Sequence, residues 1–119
     1  MKWKSAICLP VGLLSVTLVG CRSRGIEVTI HNNGHQPLRN LEVDYPGAAF
    51  GTGSVAPGRS FSYRVKPLSI GEVTLSFEQQ SGGTFKQKGP TVRPQEEGRL
   101  TLILEQDAGQ QWHMRAEQK

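Results

Sequence analysis

Two cysteines supply the most reactive side chains of the sequence, and both lie near its N-terminus. Cys8 falls within a run of residues 5–20 that contains no charge, and Cys21 follows that run directly. A thiol reacts as its thiolate, which is a good nucleophile for covalent modification. Lys2 and Lys4 precede the run. A cationic start, a short apolar stretch and small residues at its end are the parts of a secretory signal peptide.

The length of the apolar run decides between a signal peptide and a membrane span. The run has 16 residues, whereas a helix that crosses a bilayer needs about 20. Pro10 also removes a backbone hydrogen bond from the middle of such a helix. We therefore predict a signal-peptide helix over residues 1–20.

The end of this segment, Leu18-Val19-Gly20-Cys21, resembles the lipobox of bacterial lipoproteins. The resemblance implies cleavage between Gly20 and Cys21, attachment of lipid to the Cys21 sulfur, and a tether over residues 21–24. In Gram-negative lipoproteins an acidic residue after the cysteine commonly retains the protein in the inner membrane. Arg22 stands there in this chain, so the resemblance implies the outer membrane. The alternative is an ordinary signal peptide that is cut nearby, with Cys21 incidental.

Histidines, carboxylates and serines are not spaced for catalysis or metal binding. His31 and His35 are four apart, but they flank an Asn-Asn-Gly turn instead of sharing a helix face. Glu27, Glu42 and Asp44 fall at outward positions of predicted strands, where water solvates them, and no serine lies in a Gly-x-Ser-x-Gly motif. We predict no catalytic residue, no metal site and no cofactor. The alternative from this class is an enzyme without a recognisable motif.

The charge balance argues against a nucleic-acid partner. Of the 14 Lys and Arg residues, Lys2 and Lys4 belong to the signal segment, which leaves 12 against 10 Asp and Glu. No block of five or six like charges occurs, and aromatic residues are not interleaved with basic ones. The expected partners are the membrane, through the acyl chains, and another envelope protein.

A period of two dominates the sequence from Gly25 onward. Apolar and polar residues alternate in short runs that are separated by Asn-Asn-Gly, Ala-Pro-Gly and Ser-Gly-Gly turn signals. About seven such runs predict an all-β fold, a single antiparallel β-sandwich over residues 25–115. Residues 48–55, rich in Gly around Phe50, are predicted to form a crossover loop, and residues 116–119 a flexible tail. Residues 100–104 form the most apolar run, which predicts a central strand.

The motifs Leu-x-Asn-Leu-x-Val and Ala-Pro-Gly-x-Ser-x-x-Tyr-x-Val resemble those of small immunoglobulin-like or fibronectin-like modules of bacterial surface proteins. In those modules a Pro-Gly turn precedes a strand of alternating apolar residues, as Pro57 and Gly58 do here. The resemblance implies an immunoglobulin-like sandwich and no particular function.

Trp112 and Phe50 are the residues best suited to touch a ligand or partner. An exposed Trp stacks on sugars or anchors a protein interface. However, Trp112 alternates in register with Met114, which favours packing in the core, and Phe50 is predicted to cover one end of the core. Two functions follow. The first is a protein-binding or structural module of the envelope that acts through loops or an exposed sheet edge, and the second is a carbohydrate-binding protein.

Overall fold

Eight β-strands and no helix make up residues 25–119, the part of the chain that the computed structural model describes. The strands are β1 (Ile26–Asn33), β2 (Leu38–Tyr45), β3 (Ala48–Val55), β4 (Ser60–Val65), β5 (Gly71–Glu78), β6 (Thr84–Val92), β7 (Gly98–Gln106) and β8 (Trp112–Gln118). They form two four-stranded sheets, so the predicted all-β fold is confirmed. The predictions for residues 1–20, for the tether 21–24, and for cleavage and lipidation at Gly20 and Cys21 concern residues outside the described part.

One sheet has the strand order β4-β1-β7-β8. β1 is antiparallel to β4, and β7 is antiparallel to β8, but β1 and β7 run parallel, with Ile30 opposite Leu102. β7 therefore has a neighbour on each side, and its predicted central position is confirmed. The prediction of a purely antiparallel sandwich is wrong at the β1–β7 pair. Apolar alternation is the same in both orientations, so it does not fix the direction of two strands that are distant in sequence.

The second sheet has the order β3-β2-β5-β6, and all its pairs are antiparallel. The prediction of a crossover loop at residues 48–55 is wrong, because these residues form strand β3. The segment pairs with β2 from Ala48 opposite Tyr45 to Val55 opposite Leu38. Gly weakens a strand, but an edge strand needs partners on one side only. The eight observed strands exceed the predicted seven because β3 is one of them.

β6 also extends further than its sequence indicates. The strand continues through Gly89 and Pro90 to Val92. A Cβ atom at Gly89 would lie 2.8 Å from Cγ2 of Val73, so glycine permits the close approach of β6 to β5. β6 is an edge strand, where the missing N–H of Pro90 is tolerated.

Alternate side chains of the two sheets meet in one apolar core. Its buried members have at most 7% of their surface exposed. Leu102 on β7 and Val43 on β2 are fully buried. The remaining core side chains are Ile26, Val28, Ile30, Leu38, Leu41, Phe50, Val55, Val65, Val73, Leu75, Phe77, Val92, Leu100, Leu104 and Trp112. The period-two pattern therefore predicts correctly which side chains face the core in most strands.

Loops lie at two opposite ends of the sandwich. One end carries the loops 34–37, 56–59, 79–83 and 107–111. The other carries residues 46–47, 66–70 and 93–97, together with Gly25 and Lys119, and we call it the Gly25 end. Asn32 and Asn33 belong to β1, so the first turn starts at Gly34.

The C-terminal residues are part of the sheet. β8 includes Ala116, which lies opposite Leu102, and Lys119 exchanges backbone hydrogen bonds of 3.0 and 3.2 Å with Arg99. The prediction of a flexible tail over residues 116–119 is therefore corrected. Backbone pairing with β7 does not require apolar side chains, so a polar sequence does not by itself indicate a frayed end.

Candidate functional site

The two aromatic residues proposed from the sequence are buried. Trp112 is 7% exposed and meets the ring of Phe77 edge-on, with centroids 5.1 Å apart. Phe50 is 7% exposed and lies against the ring of Tyr63, with centroids 4.9 Å apart. Core packing of Trp112 is thus confirmed. Neither residue presents a free ring face of the kind on which a sugar stacks.

The three histidines are separated in the fold. Nδ1 of His31 lies 2.7 Å from Oγ of Ser60, and Nε2 of His113 lies 3.0 Å from Oδ2 of Asp107. His35 is on an exposed loop. Among residues 25–119 no three histidine, cysteine or acidic side chains come together as a metal site would require.

β3 is an edge strand with no charged side chain. The unpaired N–H and C=O groups of an edge attract other strands, and proteins usually protect such edges with charges or Pro. The other three edges carry such residues: Arg64 on β4, Lys86, Lys88 and Pro90 on β6, and Arg115 and Glu117 on β8. β3 reads Ala-Ala-Phe-Gly-Thr-Gly-Ser-Val. It is the one edge among the described strands at which the edge strand itself presents no charged side chain to a further strand.

The backbone of β3 is free on its outer side. Within the described residues it bonds to β2, and elsewhere only the carbonyl of Val55 accepts a hydrogen bond, from Nδ2 of Asn32 at 2.9 Å. The outward side chains Ala49 and Ser54 are small and exposed. An extended segment of another protein therefore has backbone groups available to pair with.

A shallow concavity of about 530 Å³ lies beside this edge. Asn40 has a positive φ of 49° at a register shift of β2 against β5. Opposite, a Cβ atom at Gly51 would collide with the carbonyl oxygen of Leu41. The two strands approach closely here because position 51 has no side chain. The concavity is bounded by Asn40, Leu41, Glu42, Ala49, Phe50, Gly51, Thr52 and Gly53.

Two carboxylates lie on the outer face of β2, and one of them, Glu42, borders the concavity. Glu42 lies opposite Gly51, and Asp44 lies opposite Ala49. A hydrogen bond to Asp44 and the negative charge of that carboxylate raise the pKa of Glu42 above its ordinary value of 4.5, and Lys86 opposes this rise. The pair is a site of crowded negative charge, which a cation would relieve.

The sequence contained part of this site. The i, i+2 spacing of Glu42 and Asp44 places both carboxylates on one face of a strand. The position of β3 at a free sheet edge could not be predicted from the sequence, because the order of strands in a sheet depends on contacts between distant segments. Tyr63 is 48% exposed although its ring stacks on Phe50, because β4 is an edge strand and leaves one side of the ring uncovered.

Residues 25–119 contain no helix that is long and apolar enough to cross a membrane.

Comparison with known proteins gives a fold and no family. No protein-family model matches the chain, and no curated protein matches it. Among solved structures, the chain is similar to the NMR structure of a protein from Eubacterium rectale, with a TM-score of 0.65 and 13% sequence identity. The match covers 82% of this chain and 92% of that one. Similarity at this level of identity shows that the two chains share a fold.

Proposed function

We propose that this chain is a lipoprotein of the bacterial cell envelope whose sandwich binds another protein by strand addition at β3. The observation that carries the proposal is the free, uncharged edge of β3 beside the Glu42–Asp44 pair. The lipobox motif at Cys21 supports the anchor, and Arg22 favours the outer membrane. The role is binding or structural and involves no catalysis.

The strand connections support an immunoglobulin-like type. In that fold two strands of one sheet and two of the other form a central Greek key, with connections that cross between the sheets. Here β1 pairs with β4 in one sheet, β2 pairs with β5 in the other, and β2 carries a further edge strand, β3. The parallel β1–β7 pair departs from the usual pattern.

The chemistry of the edge defines the partner. Main-chain hydrogen bonds supply affinity in strand addition, and alternate side chains supply specificity. Ala49 and Gly51 have small side chains or none, so a long side chain of the added strand can extend across β3 at these positions. It would then reach the carboxylates of Asp44 and Glu42, which are the β2 partners of Ala49 and Gly51. We therefore expect an extended segment with Lys or Arg at alternate positions.

The binding proposal is tested with full-length protein that is extracted from membranes in mild detergent. Ala49→Lys adds a charge to the β3 edge and should abolish co-purification of a stoichiometric companion protein. Thr91→Lys, at an exposed position on the opposite edge strand β6, is the matched control and should retain the companion. Equal retention by both variants would place the partner elsewhere.

The anchor is tested by the intact mass of the same preparation. We expect a chain that begins at Cys21 and carries acyl groups, whereas Cys21→Ala should give an unlipidated precursor. A soluble, unmodified chain cut at another position would overturn the assignment as a lipoprotein.

A further inference from the structure

Two large apolar side chains are exposed in one short loop between β4 and β5. Leu68 is 76% exposed and Ile70 is 63% exposed. Among the described residues, Tyr63 is the only other large hydrophobic residue that is exposed. Single exposed apolar residues are common on protein surfaces, but two such side chains separated by one residue form a local apolar surface.

The loop is held in place by its neighbours. The N–H of Leu68 donates a 3.0 Å hydrogen bond to the carbonyl of Pro46, and Pro67 is buried. A Cβ atom at Gly47 would lie 2.6 Å from Cγ of Leu68, so the side chain rests on the turn between β2 and β3. The position of Leu68 is therefore fixed by its contacts with this turn.

This surface lies at the Gly25 end, where the chain enters the sandwich. A concavity of about 360 Å³ is lined by Gly25, Lys66, Pro67, Leu68, Pro94, Gln95 and Glu96. A Cβ atom at Gly25 would be 3.4 Å from Cγ of Lys66, and Ile26 pairs with Val65. The entry point of the chain and the apolar loop are thus direct neighbours.

The distance from Gly25 to the proposed lipid anchor is short. Gly25 is four positions after Cys21. An extended chain spans at most about 3.6 Å per residue, so the two Cα atoms are at most about 14 Å apart. Acyl chains on Cys21 hold that residue at the bilayer surface. The Gly25 end must then lie close to the lipid head groups.

We infer that the Gly25 end rests on the bilayer that holds the acyl chains, with Leu68 and Ile70 inserted among the lipid head groups. This inference depends on the proposed acylation of Cys21. Exposed Lys66 and Arg93 lie at the same end and suit anionic head groups, while Glu96 and Glu97 offset their charge. Apolar insertion is therefore the main attraction.

This orientation leaves the proposed binding edge accessible. The 56–59 loop, which follows β3, lies at the end opposite to Gly25, so β3 leads away from the membrane surface. A partner segment can then align with β3 from the end that is distant from the membrane.

The test uses full-length, acylated protein in vesicles of phosphatidylethanolamine and phosphatidylglycerol. Leu68→Cys and Ile70→Cys are labelled with a bimane fluorophore, and Ser81→Cys, on an exposed loop at the opposite end, is the control. The acylated thiol of Cys21 does not react with the label. Nitroxide groups on the lipid acyl chains should quench the labels at positions 68 and 70 severalfold more than the label at 81.

The outcomes separate the inference from the proposed anchor. Flotation of the protein with vesicles, with quenching no stronger at 68 and 70 than at 81, overturns the membrane contact and leaves the anchor intact. Energy transfer between labels at position 68 on different molecules, without lipid quenching, would show that a second copy of the chain covers this loop. That result also overturns the membrane contact. A chain that lacks acyl groups and does not float overturns both proposals.

Discussion

The side-chain amide of Asn32 donates a 2.9 Å hydrogen bond to the carbonyl of Val55 and so joins β1 to the end of β3 in the opposite sheet. Asn32 is fully buried, and its amide also donates to the carbonyl of Gln36, while its Oδ1 accepts from the N–H of Gly34. Every hydrogen-bonding group of this side chain is close to a backbone partner, which a buried amide requires.

We therefore predict that Asn32→Ala is strongly destabilising. The substitution leaves two carbonyls and one N–H without their partner, and a loss of about 2–4 kcal/mol in the free energy of unfolding follows from the cost of such groups. Urea denaturation followed by circular dichroism measures the loss. Asn33→Ala, at the exposed neighbouring position, is the control and should change stability little. Equal effects of the two substitutions would contradict the role of Asn32.

Leu102→Ala tests the central position of β7. Leu102 is fully buried and lies between Ile30 of β1 and Ala116 of β8. Removal of its side chain should reduce the free energy of unfolding by about 2–5 kcal/mol, because apolar contacts are lost and a cavity remains. Ile70→Ala, which truncates an exposed side chain, should have a much smaller effect on the lipid-free protein. An unchanged urea midpoint for Leu102→Ala would mean that this side chain is not in the core.

Most strands could be predicted from the sequence because their core positions alternate. Val28, Leu75 and Leu102 all follow this rule. β3 could not be predicted, since Gly51 and Gly53 interrupt the apolar pattern and only pairing with β2 makes the segment a strand. The extension of β8 to Gln118 could not be predicted either, because it depends on backbone pairing with β7.

The candidate site could be predicted only in part. The carboxylates of Glu42 and Asp44 could be placed on one face from their spacing alone. Whether that face borders a free edge depends on the strand order, which is set by contacts such as the pairing of Val43 with Phe50 and with Leu75. Phe50 and Trp112 were weighed as contact residues by type, but burial decides their role.

Glu42→Gln should stabilise the protein at neutral pH. In the folded state Asp44 raises the pKa of Glu42, so the ionised form is disfavoured there relative to the unfolded chain. The folded state then binds more protons, and stability is lost as pH rises through the folded pKa. The variant should have a higher Tm than the wild type at pH 7, and the difference should vanish below pH 4.5, the ordinary pKa of this carboxyl group.

Glu78→Gln provides the contrast on the same sheet. Its carboxylate accepts a 2.9 Å hydrogen bond from Asn40 and lies 3.7 Å from the guanidinium of Arg39. Loss of that charge should lower the Tm slightly at pH 7 or leave it unchanged, because exposed ion pairs contribute little. A Tm of Glu42→Gln that is no higher than the wild type at pH 7 would argue against repulsion between Glu42 and Asp44.

Asp107→Asn should destabilise the turn between β7 and β8 in a pH-dependent way. Oδ2 of Asp107 lies 3.0 Å from Nε2 of His113, and Oδ1 accepts hydrogen bonds from the N–H groups of Gly109 and Gln111. The contact with His113, followed by the bond from Gln111, lowers the pKa of Asp107 below its ordinary value of 3.8.

A lowered carboxylate pKa stabilises the fold above the unfolded pKa, and this stabilisation is lost as pH falls through the folded pKa. The Tm of Asp107→Asn should therefore be lower than that of the wild type at pH 6. The two values should approach each other as pH falls below 3.8 and should meet only below the lowered pKa of Asp107 in the folded protein. Glu72→Gln, which removes a carboxylate 3.9 Å from Nζ of Lys88 in a solvent-exposed pair, is the matched control and should show a smaller difference. A constant Tm difference from pH 6 to pH 2 would show that the charge of Asp107 does not contribute and that only the geometry of the turn matters.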